Sequence, residues 1–284
     1  MNESNSLIFD FGIAPHILRP KEDNEVFISN TINPKISVVT ISYNHGQYIE
    51  DNILSIARQS YKNFEHIIID NLSTDNTSTI ASKYPHLTFV SEKDRGTIDA
   101  LFKGAYLSKG DYIMISTATD GLLSENWFKT CMDIFNKDPE ISLIWGPGQT
   151  LQDGLLQNSV NYPIFWDKSR RNYIDCPQKE EWFTFWKQHK YWFNELNMIV
   201  KREVFMECFT QACWEAIHAY YKNGSKYTIS EIFEFNLYFN KKRYYPYFVK
   251  EIAHFGRVHQ NQLTWQVDSQ YMLDDYNKKV DMIK

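Results

Sequence analysis

Between Lys35 and Trp145 the chain moves between two hydrophobic rhythms. Ile36 to Ile41 is a short run rich in β-branched residues, the pattern of a buried strand. From Gln47 to Ser60, the residues Ile49, Ile53, Ile56, Ala57 and Ser60 fall at helical spacing, which predicts a helix with one apolar face. Phe64 to Ile69 predicts a second strand, ending at Asp70. Asn71 to Asp75 reads as a turn into a helix that Ser73, Thr74 or Asp75 can cap. A third strand over Leu87 to Val90, a helix over Gly96 to Ser108 and a fourth strand over Tyr112 to Ile115 follow. A helix over Ser124 to Phe135 and a strand over Ile141 to Trp145 complete the series. Strands alternating with helices imply an α/β fold with a mostly parallel sheet and right-handed crossovers.

Outside this stretch the rhythm is absent. Residues 1–34, broken by Pro15, Pro20 and Pro34, read as an N-terminal extension. After Gly148 the chain becomes dense in aromatics, with helices expected around 179–190, 201–222 and 229–240. The expected organisation is thus 1–34, a nucleotide-type half over 35–148, and a C-terminal part over 149–284 that completes the site.

Composition narrows the class. The 284 residues are 43% hydrophobic and 23% charged, enough for a full core without disulfides. Thirty basic against 35 acidic side chains give a net charge of −5, which argues against a nucleic-acid binder. No apolar run is long enough to span a bilayer, and the first residues lack the pattern of a signal peptide. Cys131, Cys176, Cys208 and Cys213 form no Cys-x-x-Cys pair, so buried thiols in a reducing compartment are expected. A cytoplasmic location follows, with peripheral contact at the inner face of a membrane as a variant of it. Phosphate-binding P-loop, dinucleotide, zinc-protease and serine-hydrolase motifs are all missing.

Ligands of an open parallel sheet bind outside the carboxyl ends of its strands. At those ends stand Ser42, Tyr43 and Asn44, then Asp70, then Asp94 and Arg95, then Thr119 and Asp120. Tyr43 can stack on a base, Asp70 can accept from a base edge, Arg95 can pair with phosphate, and Asp120 can hold a divalent cation through oxygen. Taken singly, each polar residue at a strand end can equally be a turn or cap residue.

The stretches Ile36 to Asn44, Gln59 to Asp70 and Ser73 to Thr77 are followed in order by Ser91 to Gly96, Asp99 to Gly104 and Gly110 to Ile113. Together they resemble the opening of the family 2 glycosyltransferases over residues 36–146. The resemblance implies a GT-A fold: a mostly parallel central sheet flanked by helices, here with a helical, aromatic-rich C-terminal part. It also implies transfer of a sugar from a nucleotide-sugar donor, usually with inversion and a divalent metal, Mn²⁺ or Mg²⁺. By the same resemblance Tyr43 and Asp70, with Ser42 and Asn44 beside them, would hold the nucleobase. Asp94 and Arg95 would sit near base or ribose, and Asp99 near sugar or pyrophosphate. The family's Asp-x-Asp metal motif aligns with Thr117-Ala118-Thr119-Asp120, where only the last acid is present.

An inverting transfer needs a carboxylate to deprotonate the acceptor hydroxyl. Glu231, at the start of an expected helix, is the first candidate and Glu195 its rival; a capping acid is the structural alternative for Glu231. The segment Ala253 to Gln262 reads as a loop brought close to a ligand, with His259 completing a metal site and Arg257 on the diphosphate. The aromatics of 182–193 form a core, grip an acceptor sugar or touch a membrane. The reading is a transferase acting on a glycan or lipid-linked acceptor in surface polysaccharide synthesis. Its alternative is a nucleotide-sugar-binding protein with little turnover, because the Asp-x-Asp motif is eroded.

Overall fold

A computed structural model describes residues 33–157, 166–167, 169, 172–193, 197–223, 231–259 and 269–283. The first part alternates β1 (Ile36–Ser42), α1 (Ile49–Ala57), β2 (Phe64–Asp70), α2 (Thr77–Ala81), β3 (Leu87–Ser91), α3 (Thr97–Leu107) and β4 (Tyr112–Thr117). Then come β5 (Gly121–Leu122), α4 (Trp127–Lys137), β6 (Ile141–Trp145), β7 (Gly148–Gln152), β8 (Leu155–Gln157), β9 (Trp166–Asp167) and β10 (Asn172–Tyr173). The C-terminal part adds α5 (Lys179–His189), β11 (Ile199–Lys201), α6 (Arg202–Asn223), α7 (Glu231–Lys241), β12 (Tyr245–Phe248), β13 (His254–Arg257) and α8 (Ser269–Met282).

The central sheet has seven strands in the order β12-β6-β11-β4-β1-β2-β3. β11 runs antiparallel to both neighbours, and the other pairings in this sheet are parallel. β1 is buried almost throughout, as expected of a β-branched run in a sheet covered on both faces. A second, four-stranded sheet has the order β5-β13-β7-β8. Strands from both sides of residue 148 therefore share the central sheet.

The helices start later than the apolar pattern suggests, because polar turns precede them. Tyr48 N donates to His45 O (2.8 Å), and α1 starts only at Ile49. Asn126 N donates to Ser124 Oγ (3.2 Å), and α4 starts at Trp127. The region read as a loop from Ala253 contains strand β13, paired with β7 on one side and β5 on the other.

Most of the aromatic stretch is core. Trp145 meets Phe193, Phe248, Trp182 and Tyr191 at ring separations of 5.0, 5.4, 5.7 and 5.9 Å. Each buried indole N–H here has an acceptor: Trp145 to Tyr191 Oη (3.0 Å), Trp182 to Asn240 Oδ1 (2.7 Å) and Trp186 to Tyr276 Oη (2.9 Å). That pairing makes deep burial of tryptophan inexpensive. No described helix is long and apolar enough to cross a membrane.

Candidate functional site

The ends of β2 and β3 are tied together through Asp70. This carboxylate is fully buried, and it accepts from Ser73 Oγ (2.5 Å), Ser73 N (2.9 Å) and Ser91 Oγ (2.8 Å). Those bonds fix the 71–73 turn and join β2 to β3. Asn44 has a φ of 55°, a left-handed backbone that Asn tolerates better than most residues. Its N–H donates to Ser73 Oγ (2.7 Å) and its Oδ1 accepts from Thr74 N (2.8 Å), so the loop after β1 is laced to the loop after β2. Tyr43 projects from this loop with 54% of its surface exposed. The Ser42 hydroxyl beside it is buried and has no hydrogen-bond partner among the described residues.

After β3, Asn71 Oδ1 accepts from Asp94 N (2.9 Å), and Asp94 Oδ1 accepts from Gly96 N (2.8 Å). Gly96 has a φ of 115°, open to glycine alone at little cost, and it starts α3. Asp99 accepts from Arg95 N (3.1 Å) and pairs with the Arg95 guanidinium (3.2 Å). Burial pushes the Asp99 pKa up, but these bonds and the Lys103 ammonium outweigh it and hold it below the usual value. Burial raises Asp94, against the pull of Gly96 N and Lys103.

The turn after β4 carries Asp120. Burial raises its pKa, opposed by hydrogen bonds from Thr117 Oγ1 (2.5 Å), Arg257 N (2.8 Å) and Thr119 Oγ1 (3.3 Å). The Arg257 guanidinium donates to Thr119 O (2.9 Å) and pairs with Asp51 (2.6 Å), and it lies 4.8 Å from the centre of the Tyr48 ring. The His259 ring lies 5.5 Å from Tyr48 and 6.0 Å from His45. His45 is pushed down by burial and by His259, while the charges of Asp75 and Asp70 pull it up.

The fold brings Ser42, Tyr43, Asn44, Asp70, Asp94, Arg95, Asp99, Thr119, Asp120, Arg257 and His259 to the carboxyl-end rim of β1 to β4 and β13. Glu231 opens α7, and its side chain lies outside the described residues, as does Glu195 altogether. Glu234, one turn later, is buried and ion-paired with Lys279 of α8. Four residues at the rim were not legible as site residues: His45, Tyr48, Asp51 and Asn52. Asp51 reads as part of the polar face of an amphipathic helix, and its pairing with Arg257 distinguishes it. Asp120 offers a carboxylate and His259 an imidazole that burial and Arg257 favour in its neutral form, against the charge of Asp120. These are donors a divalent cation accepts. Among the described residues no group of three His, Cys, Asp or Glu gathers for a metal. A cation here would draw its remaining ligands from a bound diphosphate and water, an arrangement suited to Mg²⁺.

Solved structures share the fold, two of them as follows. TarS of S. aureus, solved in complex with UDP-GlcNAc, matches with a TM-score of 0.55 at 14% identity, over 80% of this chain and 60% of that one. A mannosyltransferase, PcManGT from Pyrobaculum calidifontis, in complex with GDP-Man and Mn²⁺, matches with a TM-score of 0.53 at 15% identity, over 85% of this chain and 62% of that one. Among curated proteins, chondroitin synthase of Escherichia coli is 27% identical over 158 residues, which are 54% of this chain and 23% of that protein. The putative teichuronic acid biosynthesis glycosyltransferase TuaG of Bacillus subtilis is 34% identical over 93 residues, 31% of this chain and 36% of that protein. The chain therefore matches well under half the length of either of these two curated relatives. The family model for glycosyl transferase family 2 matches residues 37–197, from β1 through the segment that leads into β11, and with more than half of its length so matched the chain belongs to that family.

Proposed function

We propose that the protein transfers a sugar from a nucleotide-sugar donor to a glycan or lipid-linked acceptor, with inversion, in the synthesis of a surface polysaccharide. The observation that carries this reading is the junction at Asp120. A buried carboxylate at a strand end is held by the backbone of Arg257, with the Arg257 guanidinium and His259 beside it. The nucleobase would lie against Tyr43 with the Asp70 loop beneath it, near Asp94 and Arg95. The diphosphate would lie toward Arg257, with Asp99 nearer the sugar. Asp120 and His259 would hold a divalent cation, Mn²⁺ or Mg²⁺, which when bound supplies positive charge to the leaving nucleoside diphosphate. The protein's own part is to fix Arg257 and the turn at Thr119 before the donor arrives, so that little reorganisation accompanies departure of the leaving group. Glu231, or Glu195, would take the proton of the acceptor hydroxyl. Relatives named for chondroitin, hyaluronan and teichuronic acid support an acceptor of the polysaccharide class. A cytoplasmic location, or one peripheral to a membrane, belongs to the same proposal.

The single acid at the Asp-x-Asp position favours a second reading, a nucleotide-sugar binder with little turnover. Donor hydrolysis or transfer, measured with and without EDTA, separates the two. In the first reading Asp120→Asn lowers turnover by at least roughly 10²-fold, with an unchanged melting temperature. Asp70→Asn weakens binding of the preferred nucleoside diphosphate in calorimetry. Wild-type turnover in the Asp120 variant removes the donor-site assignment.

A further inference from the structure

Of the aromatics over residues 182–193, Trp182, Trp186, Tyr191 and Phe193 are buried, Phe183 and Phe185 are half-buried, and Trp192 alone is exposed, at 39%. Its neighbours in the chain are pinned. Tyr191 O accepts from Tyr276 Oη (2.8 Å), and Phe193 N donates to Asn236 Oδ1 on α7 (2.8 Å). The Trp192 ring itself stands nearly perpendicular to Phe233, at 79° and 5.2 Å between centres. Phe233 in turn stacks on the buried Tyr276, at 5.2 Å and 26°. The exposed indole is thus backed by an aromatic column that ends in the core, and it is held without closing over.

Its place in the fold gives this a direction. Phe233 follows Glu231 by two residues in the first turn of α7. Downstream of Trp192 in the chain, the Asn197 amide bonds Gly146 O (2.7 Å) and the His254 ring (2.6 Å), and His254 begins the strand that carries Arg257. Trp192 therefore stands against the first turn of α7, the helix that Glu231, the proposed base, opens. A lone exposed aromatic on a protein surface needs no explanation. One that is stacked into place against the helix turn assigned the proposed base does, because a pyranose presents a face of C–H groups that packs on an indole and releases water. A platform fixed in advance also loses little side-chain entropy when it is used.

We infer that Trp192 is the platform on which the sugar ring of the acceptor lies, and that it sets the acceptor's affinity without touching the donor. This rests on the glycosyl-transfer reading above. The test uses the full chain, in wild type, Trp192→Ala and Trp192→Phe. Methyl β-glycosides of glucose, galactose, N-acetylglucosamine and N-acetylgalactosamine, and their β-linked disaccharides, are titrated while ligand-observed NMR and tryptophan emission are followed. At least one probe binds the wild type and shifts its emission. Trp192→Ala weakens that binding about tenfold. Trp192→Phe restores the affinity to within about threefold but lacks the emission shift. Binding of UDP and GDP with Mn²⁺ is the same in all three proteins. The inference is overturned if no glycoside binds the wild type, or if Trp192→Ala binds the probes as the wild type does. Failure of both nucleotides to bind the wild type counts instead against the donor site, whatever the sugar titrations give.

Discussion

The Asn52 side chain is fully buried on α1 and holds the turn that carries Asp120. Its Nδ2 donates to Ser116 Oγ (2.8 Å), Asp120 O (2.9 Å) and Thr117 O (3.1 Å), and its Oδ1 accepts from Thr40 Oγ1 (3.2 Å). Thr40 Oγ1 also meets His66 Nε2 at 2.8 Å. The network crosses β1, β2, α1 and β4 inside the protein, where an unpaired polar group is costly. Asn52→Ala leaves at least two buried acceptors without a donor and should lower stability by about 2–3 kcal/mol, measured as a shift in urea midpoint at constant m. Loosening of the turn should also raise the KM for the donor. The preceding residue, Asp51, acts on the same site from the outside by pairing with Arg257. The polar residues at the strand ends are legible in the sequence, because the topology of an open parallel sheet marks those positions whatever the loop sequence. Asp51 and Asn52 are not, because one reads as a solvated helix face and the other as an interruption of an apolar one. Their partners Arg257 and Thr117 are distant in the chain, so local pattern carries no trace of the pairing.

At the scale of elements, α3 approaches β1 unusually closely. A Cβ on Gly104 would stand 2.2 Å from Val39 Cγ1 and 3.3 Å from Ile69 Cγ1. Gly104→Ala gains up to about 1 kcal/mol of helix propensity, and crowding costs roughly 1–3 kcal/mol. The substitution should therefore destabilise. Val39→Ala opens room for the new methyl, so the two changes should not add. The double variant is expected to be more stable than the sum of the singles by about 1 kcal/mol or more, and additivity would mean that the helix has simply shifted. Apart from β5, the elements from β1 to β6 were legible because nearly all of them bury an apolar run or stripe, and α5, α6 and α7 were legible for the same reason. β5, β7, β8, β11, β12 and β13 were not. They span two to five residues each, too few for a period to show. β12 also contains Pro246, which argues against a strand unless it lies at a sheet edge, as β12 does. In β13 the sequence His254-Phe255-Gly256-Arg257 has the composition of a loop, and only its pairing with β5 and β7 makes it a strand.

For the molecule as a whole, acid is the condition that reaches both sheets at once. Burial holds His66, between β1 and β3, at a pKa of about 3, and His254, in β13, at about 4. In the unfolded chain both titrate near 6.5. Their folded values lie below their unfolded ones, so the unfolded state binds more protons as pH falls. Stability is complete above about pH 6.5 and is lost on the way down toward the folded values. Each histidine contributes a slope of about 1.4 kcal/mol per pH unit in that window. His45, His86 and His259 are also pushed down, chiefly by burial, and add in the same sense. Asp120 works the other way: burial raises its pKa, so protonating it relieves part of the cost of folding. Burial raises Asp94 in the same way, and two such acids set against five imidazoles pushed down leave acid destabilising. Urea midpoints should fall from pH 6.5 to 4.5, and His254→Gln should flatten the slope by about 1.4 kcal/mol per unit. Position gives this variant a functional side as well. His254 ties Asn197 to the strand whose Arg257 meets Asp120, so protonating it loosens the second sheet where that sheet completes the site. Activity in the wild type should therefore decline with acid before the far-ultraviolet circular dichroism changes, and a loss of both together would place the weak point at His66 in the central sheet instead.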